Sequence, residues 1–180
     1  QKAAQLIQQL RQEGDSAGGI IECIVQGLPA GVGEPVFEKL DAALAKAILS
    51  IGAVKGIEFG RGFEVSQMRG SENNDGYQMG PKGKIKKLSN NSGGIVGGIS
   101  EGEPIIFRAA FKPTPSISIP QQTITKQGDN MEIVVKGRHD PVVVPRAVVV
   151  VEAMAAITIV DYLFQRILSR IDLIKKALQN

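Results

Sequence analysis

Two short stretches of the sequence combine side chains that can bind an anion or move a proton. In the first, Lys112, Thr114 and Ser116 place one cation and two hydroxyl groups within five residues, alternating with Pro113 and Pro115. Prolines stiffen the backbone, which lowers the entropy cost of presenting fixed donors to a phosphate or a carbonyl group. By residue types alone, an ordinary turn at the end of a strand is the more common structure, and both interpretations stay open at this point.

In the second stretch, three consecutive residues carry a guanidinium group, an imidazole and a carboxylate. Arg138 can hold a phosphate or an anionic ring edge through paired N–H groups. Asp140 can accept a proton or hold an N–H group in place. The alternative is an ion pair on the surface, within a turn closed by Pro141. His139, the single histidine of the chain, is left without an assigned role.

A glycine-rich segment at residues 93–100 is the third candidate. Gly97 and Gly98 interrupt its apolar residues. Glycine lets the backbone approach a ligand closely, but it also marks bulges in strands. The segment lacks the spacing and the following helix of a dinucleotide-binding fingerprint. From the residues alone, a bulge is the simpler interpretation.

The spacing of apolar residues predicts the elements that position these segments. Helices are predicted at residues 1–13, 36–51 and from 145 to the end. Strands are predicted at residues 20–26, 54–59, 63–68, 104–112, 122–126 and 130–136. The first candidate stretch therefore follows a strand, and the second precedes the long last helix.

Residues 70–91 show no hydrophobic periodicity and are rich in Gly, Asn and Lys. Loops of this length tend to be mobile or functional, so we predict a mobile surface loop. The segment contains a group of lysines, namely Lys82, Lys84, Lys86 and Lys87. We expect them to be solvated, the alternative being that they steer an anionic substrate.

The composition is that of a globular protein, with 43% hydrophobic and 22% charged residues among 180. A net charge of +3 and only 4% aromatic residues do not favour nucleic-acid binding, so we expect an anionic small-molecule substrate. No cluster of metal ligands is predicted. The single cysteine, Cys23, excludes an internal disulfide and is typical of a reducing cytoplasm.

The last predicted helix is apolar on nearly every face in its first half, so it must be buried on all sides. One chain of 180 residues can hardly surround it, and we expect it to pack against another part of a longer protein or against another subunit. Glu152 and Asp161 interrupt the apolar run, and no membrane association is predicted. The sequence starts in mid-helix without a methionine, which indicates a piece of a longer chain.

Four segments, in this order and spacing, together resemble the chorismate synthase family. They are residues 14–19 (GDSAGG) with 27–37 (GLPAGVGEPVF), residues 50–60 (SIGAVKGIEFG), residues 93–100 (GGIVGGIS) with 112–117 (KPTPSI), and residues 137–141 (GRHDP) with 144–148 (VPRAV) and 152–154 (EAM). One glycine motif would be weak evidence for a family, but four segments in the right order are specific evidence.

The resemblance implies an α+β fold, a β-α-β sandwich with helices layered against mostly antiparallel sheet and a long apolar C-terminal helix. Members of the family are longer, so residues 1–180 correspond to the C-terminal half of a single domain. The implied assembly is a homotetramer in the cytoplasm, in which this half combines with the N-terminal half of the same enzyme.

The implied activity is that of a lyase of the shikimate pathway, which eliminates phosphate from 5-enolpyruvylshikimate 3-phosphate to give chorismate. The implied cofactor is reduced FMN, and NADP is associated with the family; whether the protein reduces its own flavin stays open. The family's two catalytic histidines and its substrate loop lie upstream, so this chain alone is expected to be inactive.

Carried over to this sequence, the family's motifs assign Asp140 a supporting catalytic role. The positions assigned to flavin binding are Ala53, Gly97, Lys112, Pro113, Thr114, Pro115, Ser116 and Arg138. The alternative function, from another class, is a non-catalytic flavin- or anion-binding module whose long helix mediates oligomerisation.

Overall fold

The computed structural model describes residues 2–83 and 85–179. The helices in this part of the chain are α1 (Lys2–Glu13), α2 (Leu40–Leu49), α3 (Gly70–Asn73), α4 (Val144–Leu168) and α5 (Ile171–Leu178). The strands are β1 (Gly19–Val25), β2 (Val54–Phe59), β3 (Tyr77–Met79), β4 (Ile85–Lys87), β5 (Ile95–Val96), β6 (Ile99–Ser100), β7 (Ile105–Phe111), β8 (Gln121–Ile124) and β9 (Asn130–Ile133). Short 3₁₀ turns lie at Val36–Glu38, Gly62–Gln67 and Pro81–Gly83.

The central sheet has the strand order β1-β7-β2, and both pairings are antiparallel. Gly19 and Val54 both pair with Phe111 at one end of β7, while Val25 pairs with Ile105 at the other end. The remaining strands form three antiparallel hairpins, β3–β4, β5–β6 and β8–β9. The predicted α+β class with antiparallel sheet is confirmed.

The core lies between this sheet and two helices on one of its faces. Helix α2 packs on β2, α4 packs on β1, and the two helices pack against each other. Ile105, Phe107 and Ala109 point into the core at alternate positions of β7 and are fully buried. Helix α2 buries Leu40, Leu44 and Ile48, which are spaced four residues apart and so lie on one face.

Helix α4 buries one face and leaves another open. The buried side chains recur every three or four residues, at Ala147, Val151, Ala155, Ile159 and Tyr162. Val148, Val149 and Ile157 lie on the open side and are 48%, 63% and 66% exposed. By length and composition α4 could cross a membrane, but core helices of soluble proteins pass the same test. Burial of α4 on all sides therefore stays a prediction about the longer protein.

Three predicted elements differ from the structure. Helix α2 begins at Leu40 and not at residue 36, because Lys39 is extended and the Leu40 N–H donates to the carbonyl oxygen of Gly98 at 2.8 Å. Val36 consequently lies in a 3₁₀ turn with a φ of 62° and is exposed.

The predicted strand at residues 63–68 is a 3₁₀ turn. The side chain of Glu58 accepts a hydrogen bond from the Phe63 N–H at 3.1 Å, which curls the chain back directly after β2. The predicted C-terminal helix is two helices, since Arg170 has extended dihedral angles of −129° and 115° between α4 and α5.

Residues 70–91, predicted to be a loop, contain regular structure, namely α3 and the β3–β4 hairpin. Lys87, predicted to be solvated, is buried; Lys86 is exposed, and Lys84 and the side chain of Lys82 lie outside the described residues. Apolar periodicity is missing because the interior of this segment is ionic. Whether the segment moves stays a prediction.

This interior is a group of three side chains, Asp75, Lys87 and Glu101, which we call the buried ion cluster. The Lys87 Nζ donates to Asp75 Oδ2 at 2.9 Å and to Glu101 Oε1 at 2.5 Å. The three side chains are 7%, 5% and 15% exposed, respectively. Asp75 also accepts from the Ser89 hydroxyl and from the backbone N–H groups of Asn91 and Ser92.

These contacts determine the charge states in the cluster. Burial alone would raise the pKa of Asp75, but the hydrogen bonds from Ser89, Lys87, Ser92 and Asn91 outweigh it and hold that pKa well below its usual range. Burial alone would lower the pKa of Lys87, but its bonds to Glu101 and Asp75 reverse the shift and raise that pKa. Asp75 and Lys87 are therefore both charged at neutral pH.

The substitution Asp75→Asn should lower the free energy of unfolding by about 3 kcal/mol at pH 7, because it removes one partner of a buried ion pair. Unfolded Asp75 titrates near pH 4 and folded Asp75 lower, so the unfolded state binds more protons as the pH falls below about 4. The stabilisation is complete above that pH and is lost below it, so the difference between the two proteins should shrink there. Urea unfolding as a function of pH measures this.

The matched control is Asp129→Asn, since Asp129 is exposed in the turn between β8 and β9. It should change the free energy of unfolding by no more than about 0.5 kcal/mol. Equal effects of the two substitutions at pH 7 would contradict a stabilising role for the cluster.

Candidate functional site

A turn at residues 14–19, between α1 and β1, connects the segments that carry the candidate residues. The Gly14 carbonyl oxygen accepts from the Ser118 N–H at 2.8 Å, and the Ser16 hydroxyl donates to the Thr114 carbonyl oxygen at 2.7 Å. The Ala17 N–H donates to the carbonyl oxygen of Pro141 at 2.8 Å. The turn therefore brings residues 112–118 and 138–141 to the same end of the central sheet.

Glycine at position 18 is required by this packing. A Cβ atom there would lie 2.3 Å from the Phe111 carbonyl oxygen and 3.2 Å from the Pro113 ring. Any larger side chain would push the turn away from the point at which the chain leaves β7. The close approach of the two segments thus depends on a residue without a side chain.

Ala53 and Lys112 are adjacent at this end of the sheet. The Lys112 N–H donates to the Ala53 carbonyl oxygen at 2.9 Å. Ala53 has a φ of 73°, which is uncommon for a residue other than glycine, and such conformations cluster at functional sites. The Lys112 side chain is exposed directly after β7, so its cation is accessible.

The remaining residues of the first stretch continue along the same surface. Pro113 contacts the turn near Gly18, and Thr114 accepts the bond from Ser16 through its carbonyl oxygen. The Pro115 carbonyl oxygen lies 3.3 Å from Gln121 Nε2, which donates to it, and Ser116 is half-buried. The backbone of this stretch is therefore held at several points.

The second stretch lines a cavity of about 470 Å³ beside the turn. Arg138, His139 and Asp140 contribute to its wall, together with Arg11 of α1 and Ser118. Its wall carries two guanidinium groups and two carboxylates, those of Asp15 and Asp140, so it offers donors to an anionic group and acceptors to N–H groups of the same ligand. His139 Nε2 lies 2.9 Å from the carbonyl oxygen of Val135, so that nitrogen is the one that donates.

Asp140 forms an ion pair with Arg146, on the first turn of α4, and not with its neighbour Arg138. Arg146 lies within the motif at residues 144–148, but no role was predicted for it. Its position directly after Pro145, at the start of a predicted helix that follows Asp140, could have indicated a contact with that carboxylate. Arg138 is exposed, so its guanidinium group can face a ligand.

Gly97 does not lie with the other candidate residues. It is the first residue of the two-residue loop between β5 and β6, and the sheet contacts of this hairpin are at the Ile105 end of β7. Lys112 follows the other end of that strand, and seven strand residues span roughly 20 Å. Gly97 is exposed, and in the part of the chain that the structure describes no atom beyond its two chain neighbours lies within 4 Å of the position that a Cβ atom would take.

Gly97 and Gly98 have φ angles of 61° and 86°, the pattern of a type I′ hairpin turn and not of a bulge. A Cβ atom on Gly98 would lie 2.3 Å from the Lys39 side chain, so packing requires that glycine. Only the backbone conformation requires the glycine at position 97.

Among the described residues, no group of three or more His, Cys, Asp or Glu side chains could hold a metal ion.

Comparison with known proteins identifies relatives of the whole chain. Residues 1–164 match the family model described as chorismate synthase. A chorismate synthase of Lachnoclostridium phytofermentans is 61% identical over 99% of this chain, and one of Methanosarcina mazei is 56% identical over 91%. These matches cover 49% and 45% of the two relatives, so the chain spans about half the length of the curated relatives it matches.

A solved structure has the same fold. A crystal structure of chorismate synthase superposes with a TM-score of 0.74 at 32% identity, covering 92% of this chain and 43% of that one. The resemblance seen in the four sequence segments is thus confirmed, as is the predicted type of fold.

Proposed function

Because the chain belongs to the chorismate synthase family, we propose that it forms the C-terminal half of an enzyme that makes chorismate. The reaction is a trans elimination of phosphate from 5-enolpyruvylshikimate 3-phosphate, in the cytoplasm and as part of the shikimate pathway. The observation that carries the proposal is the convergence of Ala53, Lys112 and the cavity wall at Arg138 on one turn.

Reduced FMN is the proposed cofactor, and NADP is associated with the family because its reduced form can donate a hydride to a flavin. When bound, reduced FMN supplies electron density that eases the departure of the allylic phosphate, with no net oxidation or reduction. The residues at the turn fit such a group, since Lys112 and Arg138 are exposed cations and the strained Ala53 backbone lies beside Lys112. They would hold the flavin together with Pro113, Thr114, Pro115 and Ser116.

Lys112 and Arg138 bind electron-rich or anionic parts of the cofactor through charge-assisted hydrogen bonds. The two prolines, the Ser16 hydroxyl and the Gly18 contact keep the stretch at residues 112–116 in place, which lowers the cost of binding. The cavity beside Arg138 would exclude part of the solvent around that guanidinium group, which would strengthen its interaction with an anionic group.

Asp140 has the supporting catalytic role, in which its carboxylate accepts a proton or holds an N–H group of the flavin. Its ion pair with Arg146 orients the carboxylate from the first turn of α4. Arg146 is thus a positioning residue. The base that removes the ring proton of the substrate is assigned to the N-terminal half, where the family carries its two histidines.

Gly97 contributes to a flavin site from a second copy of the chain. One chain presents Gly97 and Lys112 at opposite ends of β7, roughly 20 Å apart by strand length, which favours a site whose residues come from two neighbouring copies. The proposed assembly is a homotetramer. The open apolar side of α4 supports it, because exposed Val149 and Ile157 favour burial at an interface.

Each of the substitutions Lys112→Ala and Arg138→Ala in the full-length protein should weaken FMN binding about ten- to a hundredfold. Loss of a charge-assisted contact costs roughly 1.5–3 kcal/mol. Titration of FMN, followed by its fluorescence, gives the dissociation constants. Lys126→Ala is the matched control, since Lys126 is exposed beside the turn of the β8–β9 hairpin. Unchanged FMN affinity in both site variants would contradict the assignment of these residues to the flavin site.

The 180-residue chain alone should not form chorismate, even with excess reduced FMN. If the N-terminal half supplies proton transfer, its absence should lower the rate by at least about 10²–10⁴-fold. The measurement is anaerobic chorismate formation by this chain, before and after addition of the N-terminal half. Equal turnover in both cases would show that the active site is misplaced, and FMN binding without turnover in both would favour the non-catalytic flavin-binding module.

A further inference from the structure

The buried ion cluster connects the segment at residues 70–91 to the hairpin that carries Gly97. Glu101 directly follows β6, and its carboxylate accepts from Lys87 Nζ at 2.5 Å and from the Ser92 hydroxyl at 2.9 Å. Ser92 lies just before the same hairpin, so the two contacts hold the entry and the exit of the hairpin together.

Asp75 holds the entry of this hairpin from the other side. It accepts from the N–H groups of Asn91 and Ser92 at 2.7 and 3.0 Å, and from Lys87 at 2.9 Å. Lys87 thereby connects both carboxylates, and its ammonium group makes three hydrogen bonds with Ser92 included. An ammonium group has three N–H donors, so these three acceptors satisfy it completely.

The hairpin is held on its far side as well. The Ser100 hydroxyl donates to the Pro29 carbonyl oxygen at 2.7 Å, and the Leu40 N–H donates to the carbonyl oxygen of Gly98 at 2.8 Å. These contacts surround Gly97, which itself faces open space. The loop is thus rigidly supported but presents an accessible backbone, as a preorganised binding loop requires.

We propose that Asp75, Lys87 and Glu101 are positioning residues for the Gly97 turn, which they hold in the place where it contacts the cofactor. This inference rests on the proposed function, because it takes Gly97 as a flavin contact. The cluster touches neither Lys112 nor Arg138, so it acts on one part of the flavin site only. A buried charge network fits this task, since its loss displaces the hairpin even if the rest of the fold stays intact.

The test uses the full-length protein, with FMN affinity measured by fluorescence titration. Glu101→Gln keeps the Lys87–Asp75 pair but removes the charged contact at the exit of the hairpin, and it should weaken FMN binding about tenfold. Lys87→Met should weaken it at least as much, whereas Lys87→Arg, which keeps the charge, should restore most of the affinity. Lys86→Met is the matched control, because Lys86 is the preceding residue of β4 and is exposed; it should stay within about twofold of the wild type.

A double substitution separates positioning from general stability. Gly97→Asn suits the hairpin, since Asn tolerates a positive φ and Asn-Gly is a favoured type I′ pair, but its side chain would enter the open space that the flavin needs. If the cluster acts through Gly97, adding Glu101→Gln to Gly97→Asn should weaken FMN binding no further. The KM of the substrate at saturating flavin should stay unchanged in Glu101→Gln.

The possible failures can be told apart. Unchanged FMN affinity in Glu101→Gln, or a full additional loss in the Gly97→Asn background, overturns the positioning role. Failure of Glu101→Gln to fold, judged by circular dichroism, also overturns it, because the cluster would then support the whole fold. If Lys112→Ala, Arg138→Ala and Gly97→Asn all leave FMN binding unchanged, the proposed function itself fails.

Discussion

The antiparallel pairing of β7 with both β1 and β2 is the constraint on which the arrangement of this chain depends. Because β7 is the central strand, whatever precedes Ile105 lies at one end of the sheet and whatever follows Phe111 lies at the other. The glycine hairpin is thereby separated from the stretch at residues 112–116. The core residues of β7 pack under α2 and α4, so this separation cannot be changed without loss of the core.

Each end of β7 is then completed by a different kind of contact. At the Phe111 end, backbone hydrogen bonds around the turn at residues 14–19 gather cationic side chains that stay exposed. At the Ile105 end, the buried ion cluster supports a hairpin whose backbone is exposed at Gly97. We therefore propose that a flavin site that uses both ends combines two copies of the chain, and the open apolar side of α4 supports such an assembly.

The sequence predicted those parts of the structure that follow from local pattern. The strand Val54–Phe59 and the buried face of α2 were correct because apolar spacing reports burial directly. The 3₁₀ turn after β2 was not predicted, because it depends on a hydrogen bond to the Glu58 side chain. The late start of α2 was not predicted, because it depends on a hydrogen bond to the distant Gly98. The ion cluster was missed because nothing in local spacing indicates that Asp75, Lys87 and Glu101 meet. The four motifs identified the family, but only the fold shows that Gly97 lies at the other end of the sheet from Lys112.

The most direct test of this account is a mixed assembly of two defective chains. Full-length Lys112→Ala and Gly97→Asn proteins with different affinity tags are co-expressed, mixed oligomers are isolated through both tags, and tight FMN sites are counted by titration. If one site combines Lys112 of one copy with Gly97 of another, mixed oligomers regain tight sites that neither parent has. If both residues serve the same site within one chain, mixed oligomers bind FMN as weakly as the parents, and the two-copy site is wrong.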